Sequence, residues 1–393
     1  MSVTALPAWP MRVAKPSLRA WQAPPATPCG VNFVGPVEMA SGLGTSARGY
    51  VAALDEARVP VSVQPWRAGF EAQQRVPFPR QEGPLHSINL IHLNPDMSHI
   101  WLHRLAGLMQ PERYNIGIWY WELASTRPEW MELIARFDEI WCASSFMARS
   151  FRAVSPRPVK VVRPAVTRTA VAGRLTRRDL GLPENAFVFM FMCDAGSRLQ
   201  RKNPLALAQA YLGAFEPRDG AVLLLKFSYA NLASAALEDL RALVCGRPDV
   251  VVLDRVLSTP ELADLWTQID CYVSPHRSEG LGLTVVEAMQ AGRPVIGTSY
   301  GGVADLLTDD TGLCLDYRLA EIEKTVEPYP AGFIWAEPDQ ASIAEKMRWA
   351  FENREAAGQL AHAGQNCADN LFSVAATGAR VRAEINRIWR AAR

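Results

Sequence analysis

The chain alternates short apolar runs with stretches whose apolar residues recur every three or four positions. Residues 31–34 (VNFV), 61–63 (VSV), 87–93 (SINLIHL), 115–120 (NIGIWY), a run opening at Glu139 and 159–162 read as strands in the first part of the chain. Residues 186–193 (AFVFMFMC), 221–227 (AVLLLKF), 250–253, 270–274 (DCYVS), 294–296 and 311–316 read the same way in the second. Runs this short and this apolar suit strands buried on both faces of a parallel sheet. Helical patterns separate them. One begins near Thr45 and turns Val51 and Leu54 inward; another, 128–137, aligns Trp130, Leu133, Ile134 and Phe137. A third runs over 283–291 and stops at Gly292, and a last one carries Val381, Ile385, Ile388 and Trp389 on one stripe. Strand–helix alternation marks an α/β chain, and 393 residues are enough for two domains with separate cores.

Composition narrows the class. Apolar residues make up 49 % of the chain, as in a globular protein, and the net charge of +1 argues for no nucleic-acid partner. Seven dispersed cysteines without a C-x-x-C pair suit reduced thiols and a cytoplasmic setting. No apolar run reaches the ~18 residues that span a bilayer. Residues 1–29, rich in proline and lacking a continuous apolar core, read as a flexible tail rather than a signal peptide, with Trp9 and Trp21 packing locally. His99 and His103 stand four apart, but no third ligand accompanies them, so no metal site is expected.

The chemistry concentrates where strands give way to glycine and then to helix. In Ser274–Gly297 a strand end leads through Glu279, Gly280, Leu281 and Gly282 into the helix that opens at Leu283 and carries Glu287. A helix N-terminus offers N–H groups and partial positive charge to a phosphate. Earlier, Gly42-Leu43-Gly44 opens another glycine turn after a strand; with Gly49 its spacing is G-x-G-x-x-x-x-G, not the dinucleotide fingerprint, which weighs against an NAD-dependent oxidoreductase. Arg201 and Lys202 precede a helix that Asn203 can cap and Pro204 can begin, so they would strengthen an anion site. His92, Asn94 and Asp96 follow a strand and are candidates for contact with a second substrate; a hydrogen-bonded core histidine is the other reading of His92.

The segment S-E-G-L-G-L-T-V-V-E-A with its trailing G-R-P-V-I strand resembles the E-x7-E signature of retaining family 4 glycosyltransferases of the GT-B fold. G-I-W-Y-W-E-L, with W-A-E-P-D near the end, resembles a subset of that family with a GxWxWE motif, and the likeness runs from about Val31 to the C-terminus. It implies an α/β chain of two doubly wound, Rossmann-like domains, at 30–165 (acceptor) and 185–375 (donor nucleotide), facing a central cleft, with a linker at 166–184 and a helix over 376–393 crossing back to the first domain. Glu279 would contact the donor sugar and Glu287 its ribose, with Gly280, Leu281, Gly282 and Leu283 meeting diphosphate and sugar. Arg201 and Lys202 match the family's basic pair for the diphosphate. A further family Arg is replaced here by Gly196, with Ser197 or Arg198 as substitutes. Val256 and Leu257 would lie beside the base, and Gly42, Leu43 and Gly44 would border phosphates and acceptor. Where better-known members place a His, this chain has Trp121 and Glu122: Glu122 takes an active-site role in this reading, and Trp121 could stack on a sugar.

The implied activity is metal-independent, retaining transfer from a UDP-, GDP- or ADP-sugar, serving as co-substrate without a further cofactor. The implied acceptor is a glycan or a lipid-linked molecule in polysaccharide assembly; a lipid-linked one would bring peripheral contact with the inner membrane face. A non-catalytic sugar-nucleotide-binding partner of a transferase is the alternative.

Overall fold

A computed structural model describes residues 30–79, 83–229 and 235–391, so the proposed tail at 1–29 lies outside the described residues. These residues form two compact units. The first takes residues up to Trp121, 126–165 and 374 onward; the second takes 122–125 and 166–373.

The first unit is built on six parallel strands, β1 (Val31–Gly35), β2 (Val61–Pro65), β3 (Ile88–Ile91), β4 (Tyr114–Ile118), β5 (Glu139–Cys142) and β6 (Val159–Val161), in the order β2-β1-β3-β4-β5-β6. A polar ladder runs through its apolar middle. Asn32, Asn89 and Asn115 are in register on β1, β3 and β4, fully buried, and joined amide to amide at 2.8 and 2.7 Å. A slip of one residue would leave these amides unpaired in the core, so the ladder pins the register. The last helix, Val374–Ala391, belongs to this unit and buries Val381, Ile385 and Ile388. Its Arg387 forks onto the buried carboxylate of Glu139 at 2.8 and 2.6 Å, while Trp141 donates to the same group at 2.7 Å. A charge that deep is tolerable only when paired and hydrogen-bonded in this way.

The second unit repeats the plan with β7 (Phe187–Asp194), β8 (Ala221–Ser228), β9 (Val250–Asp254), β10 (Cys271–Ser274), β11 (Val295–Thr298) and β12 (Leu313–Leu315), in the order β12-β11-β10-β7-β8-β9. Phe187, Phe189, Phe191, Leu223, Leu225 and Phe227 point into one core under the helices Pro204–Ala214 and Gln340–Glu352. The expected linker is strapped down: Asp264 accepts the N–H groups of Ala172, Gly173 and Arg174 at 2.6–2.9 Å. An antiparallel hairpin, β13 (Tyr317–Glu321) with β14 (Ile334–Pro338), completes this unit. Both units are thus α/β and Rossmann-like. Each sheet reverses its order of growth once, between β1 and β3 in the first and between β7 and β10 in the second. Ligands of such sheets bind beyond the carboxyl ends of the strands at that switch point.

Candidate functional site

In the second unit the switch point gathers two loops. The loop after β7 carries Arg201 and Lys202 on a single helical turn, Leu199–Lys202. Arg198 and Asn203 bracket that turn with φ of +64° and +62°. Left-handed backbone at non-glycine residues costs of order 1–3 kcal/mol and persists only where surroundings enforce it. Asn203 holds the cap position expected from the sequence, but its side chain makes no capping bond: it serves as the reversal between two helices, a conformation asparagine tolerates. The loop after β10 carries His276, Arg277, Ser278 and Glu279. The two loops are tied by Arg277 N–H donating to the Arg201 carbonyl at 2.7 Å.

Across this seam lies a charge cluster. Arg201 Nη1 is 3.1 Å from Glu279 Oε2 and 2.7 Å from the Ser278 carbonyl, and Lys202 Nζ pairs with Glu279 Oε1. Arg201 is 4 % exposed and Glu279 8 %. Burial by itself would raise the Glu279 carboxyl. The charges of Arg201 and Lys202 outweigh it and hold the group down at about 2, so it is ionised at every physiological pH. The Glu122 carboxylate adds a second negative charge acting on Arg201, and Arg201 Nε has no hydrogen-bond partner among the described residues. His276, fully buried, lies beside Ser274 Oγ (3.0 Å) and the Tyr300 carbonyl (3.3 Å), and burial lowers it to about 4.

The glycine loop continues this wall. Gly282, at φ +81°, starts the helix Leu283–Gln290 without a side-chain cap, and a Cβ there would come within 2.5 Å of Val303. Gly301, also at φ +81°, lies so close to the Glu279 backbone that a Cβ would be 2.4 Å from its carbonyl oxygen. That oxygen accepts from Gly302 N–H at 2.7 Å. Glycine at these positions lets two turns press on the segment that carries Glu279.

The remaining candidates are distributed as follows. Glu287 stands half-buried on the Leu283–Gln290 helix, and its charge acts on Lys226 of β8. Leu281 is buried. Val256 and Leu257 follow β9, two strands from the switch point. Glu122, adjoining Trp121 in sequence, belongs to the second unit: its carbonyl accepts from Ser278 Oγ and its carboxylate from Tyr329 OH at 3.0 Å. Arg198 is turned to the Glu327 carbonyl, and Ser197 Oγ donates to the Asp194 carbonyl at 2.8 Å.

The first unit's switch point holds different chemistry. Gly42, Leu43 and Gly44 form the first turn of the helix Gly42–Glu56, not the loop before it. Ser41 caps this helix by accepting from Gly44 N–H at 3.3 Å, and a Cβ on Gly44 would lie 2.0 Å from the Met39 carbonyl. One turn on, Ser46 Oγ lies 2.9 Å from His92 Nε2 and 2.6 Å from Tyr120 OH. All three are buried, and burial lowers His92 to about 4 while raising the Tyr120 phenol. Asn94 is spent on the backbone, accepting Tyr120 N–H at 3.0 Å and, through its carbonyl, Trp101 Nε1 at 3.0 Å. Asp96 is exposed. Trp121 is 2 % exposed and lies edge-on to Trp130 at 4.8 Å between centroids. In this structure its ring is packed in the core of the first unit and offers no exposed face for a sugar to stack on.

Ser278, His276, Tyr329, Ser46 and Tyr120 were not singled out from the sequence. Ser278 and His276 adjoin Glu279 and could have been found by extending the motif. Tyr329 carries no local signal, because its role depends on a hairpin that returns to the seam.

Residues 197–353 match the family model "Glycosyl transferases group 1". The matched segment opens at the basic turn and takes in Glu279, the glycine loop and the hairpin. Among curated proteins, a D-inositol 3-phosphate glycosyltransferase of Arthrobacter sp. (strain FB24) is 33 % identical over 145 residues, 36 % of this chain and 33 % of that one. The alignments span about a third to three fifths of the length of the first curated relatives. The solved structure of Anabaena Alr3699/HepE in complex with UDP-glucose superposes with a TM-score of 0.66 at 14 % identity, covering 92 % of this chain and all of that one. Sucrose-phosphate synthase of Thermosynechococcus elongatus gives 0.64 at 15 % identity, covering 93 % and 100 %. These likenesses establish the fold as GT-B, with two Rossmann-like sheets. No described helix is long and apolar enough to cross a membrane.

Proposed function

We propose that this chain is a glycosyltransferase that takes its sugar from a nucleotide-diphosphate donor held in the second unit and transfers it with retention of configuration, without a metal ion. The observation that carries this reading is the meeting of Arg201, Lys202 and Glu279 beside the Gly282 helix start, at the switch point of a Rossmann-like sheet. A nucleoside diphosphate needs compensating positive charge that is fixed before it arrives, and more of it as the sugar departs. Lys202, the more accessible of the two cations, exchanges Glu279 for a phosphate oxygen, while Arg201 keeps Glu279 through Nη1, holds that carboxylate ionised to accept hydrogen bonds from sugar hydroxyls, and lends its own charge to the diphosphate. The UDP-glucose complex of a similarly folded protein and the glycosyltransferase names of the sequence relatives support a sugar nucleotide as donor. The acceptor we assign by class only, as a glycan or a lipid-linked molecule in polysaccharide assembly.

The test is a panel of UDP-, GDP- and ADP-sugars, scored for binding, slow donor hydrolysis and the anomeric configuration of the released or transferred sugar, with and without EDTA. Turnover with retained configuration that EDTA leaves intact is expected. Binding without turnover on any acceptor would return the protein to the non-catalytic class, and inverted product would overturn the retaining assignment.

A further inference from the structure

Arg201 is held from more sides than its partner Glu279 accounts for. Its guanidinium carbon lies 5.9 Å from the ring centroid of Tyr329, which sits between β13 and β14 and is itself 3 % exposed. Tyr329 OH donates to the Glu122 carboxylate at 3.0 Å. The Glu122 carbonyl accepts from Ser278 Oγ, and the Ser278 carbonyl accepts from Arg201 Nη1 at 2.7 Å. The contacts close a circuit through Arg201, Tyr329, Glu122 and Ser278. The same hairpin is fastened again beside it. Arg277 forks onto Glu337 of β14 at 2.6 and 2.8 Å and lies over Trp335 at 5.3 Å, and Ala336 N–H donates to the Arg277 carbonyl at 2.9 Å.

A purpose for this fastening follows from the backbone it serves. The turn that presents Arg201 and Lys202 is bracketed by two left-handed non-glycine residues, and such a turn holds its shape only against outside contacts. A cation over an aromatic face is free to slide across it; a hydroxyl bond at the ring's far end stops the ring from following. A second carboxylate near Arg201 also adds to the field that fixes the guanidinium.

We propose that Tyr329 and Glu122 are positioning residues that aim Arg201 at the diphosphate of the donor, an inference that rests on the donor reading above. Neither needs to touch the ligand. Glu122 thus acts through Tyr329 and Ser278 rather than as an acid, base or nucleophile.

The experiment uses the full chain and calorimetric titration with UDP, GDP and ADP, then with the nucleoside of whichever diphosphate binds. Tyr329→Phe keeps the ring and removes only the hydroxyl; Glu122→Gln keeps an acceptor oxygen and removes the charge. Tyr329→Phe is expected to weaken diphosphate binding about tenfold, the size of one lost hydrogen bond to a charged group, and to leave nucleoside binding unchanged. Glu122→Gln is expected to act in the same direction, and the double variant to lose less than the product of the two losses, because both break one circuit. A merely structural role would lower both affinities together. Equal losses for diphosphate and nucleoside, or an unchanged diphosphate affinity in Tyr329→Phe, would overturn the proposal. A wild-type chain that binds none of the three diphosphates would overturn the donor reading itself, and this inference with it.

Discussion

The two switch points are made of the same parts of the same kind of sheet, yet they handle burial in opposite ways. In the first unit Ser46, His92 and Tyr120 are neutral groups joined by short hydrogen bonds, and burial drives the histidine and the phenol away from their charged forms. In the second, Arg201, Lys202 and Glu279 remain charged at similar depth because each has an opposite charge within reach. The neutral groups hydrogen-bond to one another across the strand ends. Paired ions keep their charge when buried, so an incoming anion can compete for the cations. Topology therefore sets where a ligand can sit, and the residues at the strand ends decide whether the place is a socket or a support.

Breaking the charged cluster should have the largest effect. Glu279→Gln leaves Arg201 buried without its main counter-charge, and we expect a loss of about 3–5 kcal/mol in urea unfolding of the second unit, together with loss of transfer. Full stability with full activity in this variant would remove the contrast between the two sites.

Acid should weaken both regions by way of their histidines. His92 and His276 have folded values of about 4 against an ordinary value near 6.5, so the unfolded chain takes up protons that the folded chain refuses. Their contribution is whole above about pH 6.5 and is lost as pH falls from there toward 4, at about 1.4 kcal/mol per pH unit for each histidine. Glu279 adds a loss of its own only at lower pH, below about 4.3 and down toward 2. Urea midpoints between pH 7 and 4.5 that do not move would contradict the neutral burial of these imidazoles.

The smallest effect sharpens the comparison from the other side. Ser46→Ala strands His92 Nε2 and takes one of the partners of Tyr120 OH, and should cost about 1–2 kcal/mol, with no change in nucleoside diphosphate affinity measured by calorimetry. A large loss of diphosphate binding would mean that the first unit's cluster belongs to the donor site.

Much of this molecule is legible in one dimension. The strands declare themselves because a parallel strand buried on both faces is apolar along most of its length, as Phe187–Asp194 and Ala221–Ser228 show, and the α/β class follows from their alternation with helices. Helix ends were less legible. Gly42 begins a helix where the pattern placed a loop, and two residues on, it is Gly44 whose small size serves the approach to Met39 rather than a free turn. Asn203 has the composition of a cap and the conformation of a reversal. Side-chain destinations were the least legible. Glu279 and the Arg201-Lys202 pair stand out by spacing, but 77 residues separate Lys202 from Glu279, and only the order of β7 beside β10 makes them touch. Trp121 and Glu122 are neighbours in sequence and diverge in fate, the indole into the first unit's core and the carboxylate to Tyr329. Local pattern determines which segments bury their surface. Which charges must then share a low-dielectric space is decided by the sheet order that brings distant strand ends together.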